Sequence, residues 1–91
     1  MSAERIARIR AALATLQPVR LDIRDDSAKH AGHAGARDGR GHFGVQIVST
    51  AFEGLSLVQR HKRVYAAMGT LMDSDVHALA ISAKTPDEAG E

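Results

Sequence analysis

The chain contains no cysteine. This excludes disulfides, a thiol nucleophile and any all-thiolate zinc or iron–sulfur site built by this chain alone. Aromatic residues are nearly missing too, being limited to Phe43, Phe52 and Tyr65. The core must therefore come from Leu, Ile, Val, Ala and Met, and no aromatic platform for stacking bases is available. Net charge is small, +1 from twelve Lys and Arg against eleven Asp and Glu. A dedicated nucleic-acid binder usually carries a clearly basic domain or stripe. No apolar run approaches the ~18 residues that a membrane span needs, and the first residues read as helix rather than as a secretory leader. The expectation is a cytoplasmic protein.

What is present suits one small domain spanning residues 1–91, with a core over about 3–84. The composition is ordinary for a globular protein, 44% hydrophobic and 25% charged. Ninety-one residues are too few for two domains and leave little room for an enclosed active-site cavity. Binding surfaces are the better first guess.

Hydrophobic spacing sets out the elements. Residues 3–16 carry Ile6, Ile9, Leu13 and Leu16 at helical intervals, with Ser2 as a candidate N-cap and Pro18 as the stop. Residues 19–25 alternate, with Val19, Leu21 and Ile23 on one side and Arg20, Asp22 and Arg24 on the other. The alternation returns over 42–49 through Phe43, Val45 and Ile47. A second helix runs from about 56 to 72, with Leu57, His61, Val64, Met68 and Leu71 on one stripe. Gly69 inside that helix costs roughly 1 kcal/mol relative to Ala, which a close neighbouring element would explain. Residues 76–83 form a third strand in which His77, Leu79 and Ile81 share one parity. Thr85-Pro86 ends it before a polar tail or last helical turn. The order α-β-β-α-β predicts an α+β fold: a three-stranded mixed sheet with both helices on one face. Strands one and two pair antiparallel, and a helical crossover makes strands two and three parallel if adjacent.

The stretch 26–41 interrupts this pattern. It is 16 residues long and holds four of the eight glycines together with His30 and His33. Connections of that length are uncommon in compact domains and usually functional or disordered.

Five histidines stand out in so short a chain, because imidazole ligates zinc, copper and iron and carries protons near neutrality. His30-x-x-His33 lies in the loop, without the carboxylate of an HExxH helix. His42 and His77 open strands two and three. At the rim of its strand His77 is either a hydrogen-bonded core-edge residue or an offered ligand, and spacing alone leaves both open. His61 falls on the helical stripe, where packing against the sheet is the simpler role. With Arg60, Lys62 and Arg63 it forms the one basic run able to meet phosphates, although these residues fan around the helix as a diffuse surface. No GxSxG elbow, dinucleotide fingerprint or phosphate loop occurs. No enzymatic reading emerges.

Several stretches match one family: Leu16-Gln17-Pro18, Asp25-Asp26-Ser27-x-x-His30, Gly41-His42-Phe43-x-Val45, Val48-Ser49-x-x-Phe52-x-Gly54, Arg60-His61-Lys62-x-Val64-Tyr65, Val76-His77-Ala78-Leu79 and Thr85-Pro86. In order, spacing and coverage the chain resembles the BolA family from about residue 4 to 88. That resemblance implies a class II KH-like fold and a non-enzymatic adaptor. Family members bind monothiol glutaredoxins and share a [2Fe-2S] cluster with them, thiolates coming from the glutaredoxin and its glutathione. The implied ligands here are His77 and a histidine of the loop, His30 or its rival His33. Histidine ligation of such a cluster has precedent in Rieske centres. Other members are described as transcriptional regulators, which implies duplex DNA as an alternative partner for Arg60, His61, Lys62 and Arg63.

Overall fold

The computed structural model describes residues 2–27 and 41–91. Helix α1 (Ser2–Leu13) runs into a 3-10 turn at Ala14–Leu16, and strands β1 (Arg20–Asp25) and β2 (Gly41–Val48) follow. After a second 3-10 turn at Thr50–Phe52 come helix α2 (Leu57–Met68), a single turn α3 (Leu71–Ser74), strand β3 (Val76–Lys84) and a final turn α4 (Pro86–Ala89). The sheet order is β1-β2-β3, with β1 antiparallel and β3 parallel to β2. The fold class read from periodicity is therefore the one observed.

Alternation explains which face is dry. Phe43, Val45 and Ile47 of β2 are buried with Leu79 and Ala83 of β3, Ile9 and Leu13 of α1, and Val64 and Met68 of α2. On the opposite face β1 shows Arg20, Asp22 and Arg24 to solvent, and β2 shows Gln46. Each buried Leu, Ile, Val or Phe contributes about 1.5–3 kcal/mol. Exposed ion pairs such as Arg20–Asp22 at 3.3 Å contribute about 0–1 kcal/mol, so the apolar layer dominates.

Four details depart from the sequence expectation. Helix α1 begins at Ser2 and tightens into the 3-10 turn after Leu13, which Gln17 closes in the left-handed region at φ 52°. Val19 lies outside β1 and is 59% exposed: its N–H still bonds the Val48 carbonyl, yet its side chain faces solvent. On α2 the buried stripe is Arg60, Val64 and Met68, while Leu57 is 67% exposed and His61 only half-buried. The inward face at the start of α2 thus sits one position off the expected line.

Gly69 is the fourth. It ends α2 rather than lying inside one long helix, and its φ of +57° is the reason. A Cβ built there would meet nothing within 4 Å, so backbone conformation and not a close neighbour requires glycine. With ψ at −132° this is not the left-handed helical well but a region that side chains rarely adopt, where strain costs about 1–3 kcal/mol. Gly69→Ala should therefore lower the unfolding free energy by about 1–3 kcal/mol. Urea titration checks this, and an unchanged midpoint would contradict the assignment.

Candidate metal centre

Strands β2 and β3 run parallel, so their first residues lie at the same end of the sheet. Gly41 pairs with Val76, but His42 pairs with Ala78, which leaves His77 as the extra residue of a β-bulge. A bulge resets the side-chain alternation. Val76 and Leu79 are consequently both buried, and His77 is exposed instead of sharing the parity of Leu79 and Ile81. That corrects the parity expected from spacing: the His77 side chain lies on the exposed side of the strand rather than with the core. The imidazole stands at the rim, where a ligand would have to be.

A second imidazole stands beside it. The rings of His42 and His77 have centroids 5.2 Å apart and are tilted by 47°. His42 is half-buried, with its Nε2 shielded from water. Sequence reasoning placed both histidines at strand openings without bringing them together. Parallel neighbours of matched start would have suggested it, but the bulge that aims His77 left no sequence signal.

The roots of the long loop belong to this same end. At its departure the Ser27 N–H bonds Asp25 Oδ1 at 2.8 Å, and the Asp26 N–H bonds the His42 carbonyl at 2.7 Å. At its return the His42 N–H donates to Ser27 Oγ at 3.1 Å, and the Gly41 N–H donates to the Asp75 carbonyl at 3.0 Å. A Cβ on Gly41 would lie 2.6 Å from the Phe43 ring and 2.9 Å from Ser27 Oγ, so the returning chain passes too close for any side chain. Residues 28–40 join these roots. His30 and His33 fall within that segment, outside the described residues.

Asp75, just before β3, is fixed by Arg8 Nη1 at 2.5 Å, and that hydrogen bond is the chief reason its carboxyl titrates below the usual range. The segment entering the bulge is thereby tied to α1. Among the described residues no three His, Asp or Glu side chains converge as a ready-made metal cage.

The basic run 60–63 does not form one surface. Arg60 is 8% exposed and turned inward. Its guanidinium bonds the Leu55 carbonyl at 3.0 Å, the Ala83 carbonyl at 3.2 Å and both carboxylate oxygens of Glu88 at 2.6 and 3.1 Å. Placing Arg60 among phosphate-contacting residues is thus corrected: its donors are occupied in holding α4 to α2 and β3. Lys62 and Arg63 remain exposed, and His61 is half-buried.

A scan of family profiles matches residues 13–88 to the BolA-like proteins. The chloroplast BolA1 protein of Arabidopsis thaliana is 49% identical over 77 residues, covering 81% of this chain and 48% of that protein. BolA-like protein 1 of Homo sapiens is 46% identical over 71 residues, covering 78% of this chain and 50% of the relative. Among solved structures, the BolA domain of SufE1 from Arabidopsis thaliana superposes with a TM-score of 0.79 at 46% identity, covering 90% of this chain and 92% of that one. BolA1 from the same plant gives 0.78 at 44% identity, covering 92% and 94%. The chain belongs to the BolA family. It spans about half the length of these curated relatives. No helix among the described residues is long and apolar enough to cross a membrane.

The Arg60–Glu88 contact carries a pH prediction. The hydrogen bond from Arg60, then that from the Thr85 N–H, pulls the Glu88 carboxyl from 4.5 down to about 2. A depressed folded-state value stabilises the fold above the unfolded-state value, and that stability is lost as pH falls through the folded one. Stability should therefore drop between pH 4.5 and about 2, with Asp75 adding to the slope in the same direction. Urea midpoints measured across that window should fall less steeply for Glu88→Gln than for the wild type.

Proposed function

We propose that this protein is a non-enzymatic adaptor that binds a monothiol glutaredoxin and completes a [2Fe-2S] cluster shared with it, in cluster trafficking or in iron and redox sensing. The observation that carries the reading is the position of His77: an exposed imidazole on a bulge, beside both roots of the His30- and His33-bearing loop. Membership of the BolA family supports it.

The donor set fits the group in a limited way. With no cysteine, the chain offers imidazole alone, and cluster iron needs thiolate from elsewhere. Such a cluster would supply electron-transfer or iron-sensing chemistry, with its sulfur ligands from the glutaredoxin and glutathione. This chain would contribute His77 from β3 and one histidine of the loop. Its strands hold His77 in place, and its surface selects the partner. A compartment with reduced glutathione, such as the cytosol, suits the reading.

Visible circular dichroism tests it directly. Adding the wild type anaerobically to a [2Fe-2S] monothiol glutaredoxin with glutathione should reshape the spectrum to a one-to-one endpoint, and His77→Ala should not reach it. A spectrum that never responds to the wild type removes the cluster reading.

Duplex DNA binding is the second reading, and the exposed Lys62 and Arg63 are what favour it. With Arg60 engaged inward, few phosphate contacts are left. Each accounts for a salt slope of about 0.9 in log affinity against log salt. Lys62→Ala with Arg63→Ala is the variant that tests this surface without disturbing α4.

A further inference from the structure

The His42–His77 contact has a consequence that needs neither glutaredoxin nor cluster. We propose that these two imidazoles chelate a single divalent transition ion such as zinc or cobalt(II) in the isolated protein, and that filling this site withholds His77 from a shared cluster. The second half rests on the cluster reading. The first half does not.

Distance is the first argument. Two imidazoles bound to one tetrahedral ion through metal–nitrogen bonds of about 2.0–2.1 Å bring their ring centroids to about 5 Å. The observed separation is 5.2 Å, with the rings tilted by 47°.

Rigidity is the second. Both histidines sit on hydrogen-bonded strands, His42 opposite Ala78 in the ladder and His77 in the adjoining bulge. The backbone that carries each ring is therefore fixed before an ion arrives, which leaves only side-chain torsions to order on chelation.

Chemistry sets the class of ion. Imidazole suits zinc, copper, iron and nickel, and cobalt(II) belongs to the same divalent series, whereas calcium and magnesium demand oxygen ligands. No third His, Asp or Glu among the described residues completes a cluster with the pair. Two waters on the exposed His77 side would fill the remaining positions, one protein ligand fewer than in open catalytic zinc sites. With two protein ligands and an open His77 side, the site is reversible, suited to competition rather than to permanent structural zinc.

The experiment is a calorimetric titration of zinc into the protein alone, repeated with cobalt(II) to follow its visible absorption. The wild type should bind one ion per chain. His42→Gln and His77→Gln should each weaken binding at least about tenfold, since even outer partners of metal ligands are worth about 10–100-fold. His61→Gln and the double variant His30→Gln/His33→Gln should bind like the wild type. Wild-type affinity in both strand variants overturns the proposal, as does loss confined to the loop double variant. His77 is exposed, so His77→Gln decides the matter if His42→Gln fails to fold. For the competitive half, zinc-loaded protein should reach the glutaredoxin dichroism endpoint only after a chelator is added. An endpoint indifferent to zinc overturns that half. A dichroism titration that fails without zinc counts against the cluster reading and leaves the calorimetric result standing.

Discussion

The central strand is the constraint on which everything else depends. Along β2 only His42 and Gln46 escape burial, and the strand pairs with a neighbour on each edge. Phe43, Val45 and Ile47 fill the space beneath α1 and α2, while the residue before Phe43 supplies an imidazole to the candidate metal centre. Side-chain period in a strand is two, so a slip of one residue would drive His42 into the core and Phe43 into water. Exposing Phe43 alone forfeits about 1.5–3 kcal/mol, and an imidazole left without partners in the core costs a further ~1–3 kcal/mol. The hydrophobic register and the placement of His42 are one choice, enforced by the same free energy.

The architecture was legible because it depends on such averages. Period-two runs at Leu21–Ile23 and Phe43–Ile47, and the 3.6-residue spacing of Ile6, Ile9 and Leu13, survive one or two errors in element ends. What escaped the sequence were single-residue events. The bulge at His77 arises from the mismatch between Gly41↔Val76 and His42↔Ala78, a relation between two distant segments that periodicity along one of them cannot carry. Gly69 carried a local signal of the right kind. A glycine near the end of a periodic segment is a helix stop as readily as a packing contact, and its positive φ decided between them. The candidate metal centre was half legible: His77 stood out from its rim position, whereas its neighbour depended on strand adjacency.

Arg60 shows why a basic run is an unreliable guide to a basic surface. The sheet-facing line of α2 passes through Met68 and Val64, and one turn earlier it reaches Arg60, so burial fell on a residue with a charged tip. Arginine tolerates this because its stem is apolar and its planar fork delivers several donors at once. The tip here meets two carbonyls and a bidentate carboxylate. Burying a guanidinium without them would cost far more than the helix gains by orienting this way. The C-terminal turn is thus part of the solution: Thr85 and Glu88 form a capping box, and the same Glu88 neutralises Arg60. Local capping and long-range pairing converge on one side chain.

A chain limited to imidazole donors raises a question of selectivity. Exposed histidines bind several transition ions, and intrinsic affinity follows the metal more than the protein. In the adaptor reading, discrimination must therefore come from whatever presents the metal, because a partner-held cluster arrives with its thiolates and its own docking surface. Rigidity is what this fold adds. The ladder bonds of β2 and β3, with Arg8 holding Asp75 just before the bulge, fix the backbone of His77 before any metal is met, so only its side-chain torsions remain to be ordered on ligation. A loop donor, in contrast, is tethered at its departure by Asp26 and Ser27, which bond the His42 backbone, and at its return by Gly41, which bonds the Asp75 carbonyl. The residue whose ring sits against His77 therefore also helps to anchor the loop, through its backbone. An ion held by the His42 and His77 rings would occupy the end of the sheet from which the loop departs and to which it returns, which is where the proposed metal occupancy and cluster ligation would compete for His77.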